Sequence, residues 1–145
     1  MKLIHKQTGN IVEADDAFYQ AMQAEYYIYT EQAPTLDALK RAKIAELHAF
    51  FQSQIDDMKK GYASYEVDTW KTQSDEWVSW NKDATTKTPF VDAMASARGI
   101  DRIGLLNRIG VKTLAIAQMV GTQQSFEDAI NACVTKAELD AIVWG

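Results

Sequence analysis

Asp75 and Glu76 lie among Trp70, Trp77 and Trp80, a mixture of carboxylates and indoles that could cut a sugar polymer held on an aromatic platform. Glycoside hydrolysis needs two carboxylates facing each other across a bond. Adjacent residues on a helix point in different directions, so this pair does not supply them. Arg98-Gly99-Ile100-Asp101-Arg102 would suit an anion, since arginines and a helix start both favour negative groups, but the favoured reading is a helix-capping turn with two solvated arginines. Ser125-Phe126-Glu127 has no recognisable spacing to His5 or His48, and neither histidine has a second histidine or a cysteine at ligand spacing. Cys133, between Ala132 and Val134, reads as a small buried thiol. With no phosphate loop, dinucleotide fingerprint or nucleophile elbow, the expectation is a protein that is not an enzyme and uses no cofactor or metal.

The elements that carry these residues are mostly helical. Thr88-Pro89 opens a helix that Gly99 closes: threonine is a capping residue, proline fits the first helical position, and glycine takes the positive φ of the last turn. Phe90, Val91 and Met94 are expected to face inward. From Leu36 to Lys60 there is neither glycine nor proline, and Leu36, Leu39, Ile44, Leu47, Phe51, Ile55 and Met58 trace a stripe on a helix about 37 Å long. That stripe could face the domain's own core or, as in a coiled coil, a second copy.

Tyr62 to Val67 reads as an extended linker, followed by a helix over about Asp68 to Asn81 with Trp70, Gln73, Trp77 and Trp80 along one side. Helical spacing favours core packing for these tryptophans. Asp101 caps a further helix whose face carries Ile103, Leu106, Ile109, Leu114, Ala117 and Val120, with Gly104 and Gly110 admitting a close neighbour. Gly121-Thr122 is expected to interrupt or kink it. Thr135-x-x-Glu138 forms a capping box, and Trp144 should pack the C-terminus down.

Ahead of this helical block, Leu3-Ile4-His5-Lys6 and Ile11-Val12-Glu13 flank Gln7-Thr8-Gly9-Asn10 as a small hairpin too narrow for a core of its own. Asp15 or Asp16 starts a short helix bearing Phe18, Tyr19 and Met22, and Tyr26, Tyr27 and Tyr29 follow. These aromatic side chains either fill a half-buried strand edge or form a partner-binding patch of Phe18, Tyr19, Tyr26, Tyr27 and Tyr29, because tyrosine joins a large contact area to a hydroxyl that tolerates a wet interface. The expected architecture is mainly α: a hairpin and aromatic arm over residues 1–33 and a helical bundle over 34–145.

Composition narrows the partners. The chain has 145 residues, one cysteine, and 20 acidic against 15 basic residues for a net charge of −5, with no window that gathers lysine and arginine on one face. That argues against nucleic acid, whose binding depends on neutralising phosphates. The start of the chain lacks the apolar core of a signal peptide and nowhere do about 18 apolar residues run together, so no membrane association is expected and the protein should be cytoplasmic when made.

Lys43-Ile44-Ala45-Glu46-Leu47, Thr69-Trp70-Lys71-Thr72-Gln73 with Glu76, Thr88-Pro89, Ala95-Ser96-Ala97-Arg98-Gly99-Ile100, then Lys112, Gly121, Gln124 and Leu139-Asp140-Ala141-Ile142-Val143-Trp144 together resemble a family of proteins and domains encoded in the tail modules of tailed phages and prophages, often beside tail-fibre genes. The hairpin and aromatic segment before Pro34 are similar in style to the opening of tail-fibre assembly proteins. The resemblance implies a tail accessory protein, a tail-fibre assembly chaperone or adaptor acting by protein–protein contact in the host cytoplasm. Its partner would be a tail fibre or another tail protein. The alternative it leaves open is a structural tail or baseplate component that stays in the virion and forms a homo-oligomer through Leu36–Met58. The family carries no catalytic residues to transfer.

Overall fold

A computed structural model describes residues 1–30 and 32–145, which divide into two compact units, Met1–Thr35 and Leu36–Gly145. The fold is mainly α, with one small antiparallel sheet at the N-terminus.

In the first unit the hairpin of β1 (Lys2–His5) and β2 (Ile11–Glu13) forms as expected, its turn passing through Gly9 at φ +73°. A helix, α1 (Asp16–Met22), is capped by the Asp15 carboxylate, which accepts from the Phe18 amide at 2.8 Å. The chain then returns as β3 (Tyr26–Ile28) on the other side of β1, so the sheet has three strands in the order β2-β1-β3. The tyrosine run is thus itself a strand. Leu3, central in the sheet, is fully buried.

The second unit is built on one long helix. Its elements are α2 (Leu36–Lys59), α3 (Ser64–Asp68), α4 (Trp70–Lys82), α5 (Pro89–Arg98), α6 (Arg102–Ala132) and α7 (Lys136–Ala141). Helix α6 runs for 31 residues and carries an apolar cluster towards each end. Towards its start, Leu105, Leu106 and Ile109 meet Trp77 of α4 and Val91 and Ala95 of α5. Towards its finish, Ile130 and the adjoining Cys133 meet Leu47 and Phe51 of α2 and Leu139 of α7. The α2 stripe therefore has its two buried side chains inside this unit, with Leu36, Leu39 and Ile44 half-buried beside them.

Four expectations need correction. Residues Ser64–Asp68 are a short helix rather than part of an extended linker, held by Ala63 carbonyl bonds to the Glu66 and Val67 amides and too brief to show a helical period. The helix through Gly121 is not interrupted: an interior glycine costs only about 1 kcal/mol, and both ends of α6 are anchored in apolar clusters. The broad apolar face is also incomplete, since Ile103, Leu114 and Val120 are exposed, Leu114 by 59%, because the buried contacts of α6 gather at Leu105, Leu106 and Ile109 and again at Ile130. Finally, Thr88 does not cap α5 with its side chain. Capping of α6 by Asp101 and the Thr135–Glu138 box at α7 form as expected, and Gly99 closes α5 at φ +63°.

The close approach expected at glycine occurs at Gly110. A Cβ built there would lie 2.3 Å from Nε1 of Trp77, so the indole comes right up to the α6 backbone. Gly104 instead abuts its own capping Asp101. By length and composition alone α6 is also long and apolar enough to cross a membrane, and 22% of its most apolar stretch is buried within the fold.

Candidate functional site

Glu76, Arg102, His48 and Cys133, four of the residues that looked able to do chemistry, are engaged in ties within or between helices. Glu76 on α4 points its carboxylate at the start of α5 and accepts from the Phe90 and Val91 amides, each at 2.9 Å. A charged acceptor across two free amides at a helix N-terminus is a strong cap, and it takes the place expected of Thr88. The Thr88 hydroxyl, fully buried, donates to Asp92 Oδ1 at 2.8 Å and accepts from Arg102 Nη2 at 2.8 Å, and Arg102 also pairs with Asp92 through Nε. Arg102 is therefore a tie between α5 and α6 rather than a solvated cation. Hydrogen bonding by Thr88, and then by Arg102, holds the Asp92 carboxyl below the usual carboxylate range.

Asp75 pairs with Lys71 on the exposed side of α4 and does not face Glu76's target. His48 on α2 binds Glu127 on α6, and that bond, followed by one from Gln123, lowers the Glu127 pKa. Cys133 is buried and its thiol donates to the Ala129 carbonyl at 3.3 Å. Trp77 is core, Trp80 packs on it, and Trp144 meets Phe126 at 6.0 Å between ring centres, which pins the C-terminus. Among the described residues, no three of histidine, cysteine, aspartate and glutamate gather in a metal-binding set, and no buried side-chain polar atom lacks a partner.

The expected aromatic patch is divided by the sheet. Side chains opposite one another on paired strands share a face, so Leu3, His5 and Tyr26 lie on one side and Ile4, Ile11 and Tyr27 on the other. Helix α1 occupies the first side: Phe18 meets Tyr26 edge-on at 5.6 Å, and His5 meets Tyr26 at 4.9 Å. Tyr26 is thus a packing residue, and Tyr19 is half-buried. The second side has no helix of its own unit over it. Ile11 is 51% and Tyr27 48% exposed there, with Ile4 and Tyr29 half-buried beside them and a shallow depression running from Ile4 along Tyr27 to Gln32. Of the five aromatic residues, only Tyr27 and Tyr29 belong to this open surface.

A second concavity, which the sequence reading did not find, lies in the helical unit between α4, α5 and α6, with α3 on its rim. It encloses about 670 Å³ and is floored by Trp70, Phe90, Met94, Leu105, Ile109 and Ile116. Tyr62 stands edge-on to Trp70 at 5.2 Å, and the Lys112 ammonium donates to the Tyr62 hydroxyl at 3.0 Å while lying over both rings. Arg98 and Arg108 complete a basic rim. The available signal was Arg108 and Lys112 at i and i+4 in a helix otherwise poor in charge. No protein-family model, curated protein or solved structure matches the chain.

Proposed function

We propose that this chain is a tail-fibre assembly chaperone or adaptor of a tailed phage that acts by protein–protein contact, with the open face of the N-terminal sheet as the contact surface. The observation that carries the reading is the cluster of exposed Ile11 and Tyr27 with half-buried Ile4 and Tyr29 on one face of a three-stranded sheet, whose other face carries α1 over Tyr26 and leaves Ile28 exposed beyond it. Exposed large apolar side chains grouped on one face mark interaction surfaces, and tyrosine suits a surface that is wet before binding and dry after it. The edge strands are three residues long, too short for much ladder pairing, so the face rather than the edge supplies the affinity. The polar groups spent on caps and interhelical ties favour binding over catalysis. The resemblance to tail-module proteins names the class of partner.

The test is co-expression with the tail-fibre protein encoded beside it. The parent chain should raise the yield of soluble trimeric fibre and co-elute with it, whereas Ile11→Asp/Tyr27→Asp should lose both effects while keeping the thermal transition of the helical unit. No complex with the parent, or an undiminished complex with the double variant, overturns the reading. Abundant protein in purified virions would favour the structural tail component instead.

A further inference from the structure

We infer that the groove between α4, α5 and α6 is a second binding site, one that takes an acidic amphipathic helix from a partner protein. It lies wholly within the helical unit and does not depend on the role given to the sheet face.

Charge complementarity identifies the occupant. The chain as a whole is at −5, yet the groove is lined by Arg98, Arg108 and Lys112 against a single acid, Glu66. Among the described residues no carboxylate forms an ion pair with any of these three cations. Lys112 is held in place by the Tyr62 hydroxyl and two aromatic faces rather than neutralised. A net basic rim maintained on an acidic protein attracts an anionic ligand, while the net −5 that each copy carries opposes the approach of a second copy as a whole.

Shape distinguishes a helix from a compact anion. Along α6 the lining runs from Leu105 to Ile116, about 16 Å or three helical turns. Arg108 and Lys112 are one turn apart, about 6 Å, which matches carboxylates at i and i+4 on a docked helix. The floor between them is apolar and aromatic, as the anchor stripe of an amphipathic helix requires.

The probe is a synthetic helix of roughly 16 residues, blocked at both ends, with leucines at i, i+3 and i+7 and glutamates flanking them. A lysine-for-glutamate copy and a serine-for-leucine copy are the controls. Titration of the full-length protein, followed by calorimetry and by the Trp70 indole resonance, should give a saturable micromolar complex with the glutamate peptide, and roughly tenfold or weaker binding of each control. Raising salt should weaken the complex, and Arg98→Glu/Arg108→Glu, which removes two exposed and unpaired side chains, should transfer the preference to the lysine peptide. Equal binding of both charge types, no perturbation at Trp70, or no saturable binding by the parent overturns the inference. So does equally tight binding of a single-ring aromatic carboxylate, which would make the groove a small-molecule site.

Discussion

Gly110→Ala and Gly121→Ala make the same chemical change on the same helix, eleven residues apart by their numbers, and should have opposite effects on stability. Each gains about 1 kcal/mol of helix propensity, because alanine loses less backbone freedom on folding than glycine. At Gly121 an added Cβ meets nothing within 4 Å, so that gain stands unopposed. At Gly110 the Cβ would lie 2.3, 2.4 and 2.8 Å from Nε1, Cε2 and Cζ2 of Trp77. The indole is part of the buried cluster with Val91, Ala95 and Leu106 and cannot swing aside without opening it. Overpacking of this kind costs about 1–3 kcal/mol, and contact this close belongs at or above the top of that range. The net for Gly110→Ala is a loss of about 2 kcal/mol or more, with a fall in melting temperature of about 3 °C per kcal/mol for a chain of this size. Thermal and urea unfolding followed by helical circular dichroism measures both variants. Trp77→Leu removes the obstructing ring at its own cavity cost, and in that background Gly110→Ala should become nearly neutral or stabilising, a coupling a double-mutant cycle reads directly. If Gly110→Ala raises stability as Gly121→Ala does, the close approach of Trp77 to α6 is wrong.

Glu76→Gln weakens a charged cap shared by two amides and should cost about 1 kcal/mol, with slower-protected Phe90 and Val91 amides becoming faster in hydrogen exchange; unchanged exchange at those two would refute the assignment. Asp92 has a folded-state pKa below its ordinary 3.8, so its bonds to Thr88 and Arg102 contribute stability that is complete above 3.8 and is lost as pH falls through the lower folded value. The melting-temperature gap between the parent and Asp92→Asn should therefore be constant near neutrality and close in acid, whereas a pH-independent gap would contradict the linkage. Cys133 should be unreactive towards a soluble disulfide reagent in the native protein and react with one thiol equivalent once urea unfolds the chain, because its sulfur is buried beside Leu47, Ile130 and Leu139. Immediate reaction under native conditions would place it at the surface.

Local chemistry was readable residue by residue. Asp101, the Thr135–Glu138 box and Gly99 mark helix ends because capping involves atoms only a few positions apart, and the α2 stripe shows its face because a helical period repeats within the segment. Thr88 misled for a tertiary reason. Its sequence context is that of a cap, but Glu76, far off in sequence, reaches the α5 amides and leaves the hydroxyl to Asp92 and Arg102.

The candidate surfaces divide in the same way. That aromatic side chains gather between Phe18 and Tyr29 is written in the chain, whereas strand register decides that Tyr26 packs under α1 and Tyr27 stands open, since alternate residues of a strand emerge on opposite faces. The groove with its rim of Arg98, Arg108 and Lys112 exists only once α4, α5 and α6 pack together. The amino-acid order by itself determined a mainly α chain, the helix ends at Gly99, Asp101 and Thr135, and the acidic charge, properties that need no long-range contact. Which faces are covered, which polar groups are tied up and where a basic concavity opens depended on residues distant in sequence coming together, and only the tertiary structure decided them.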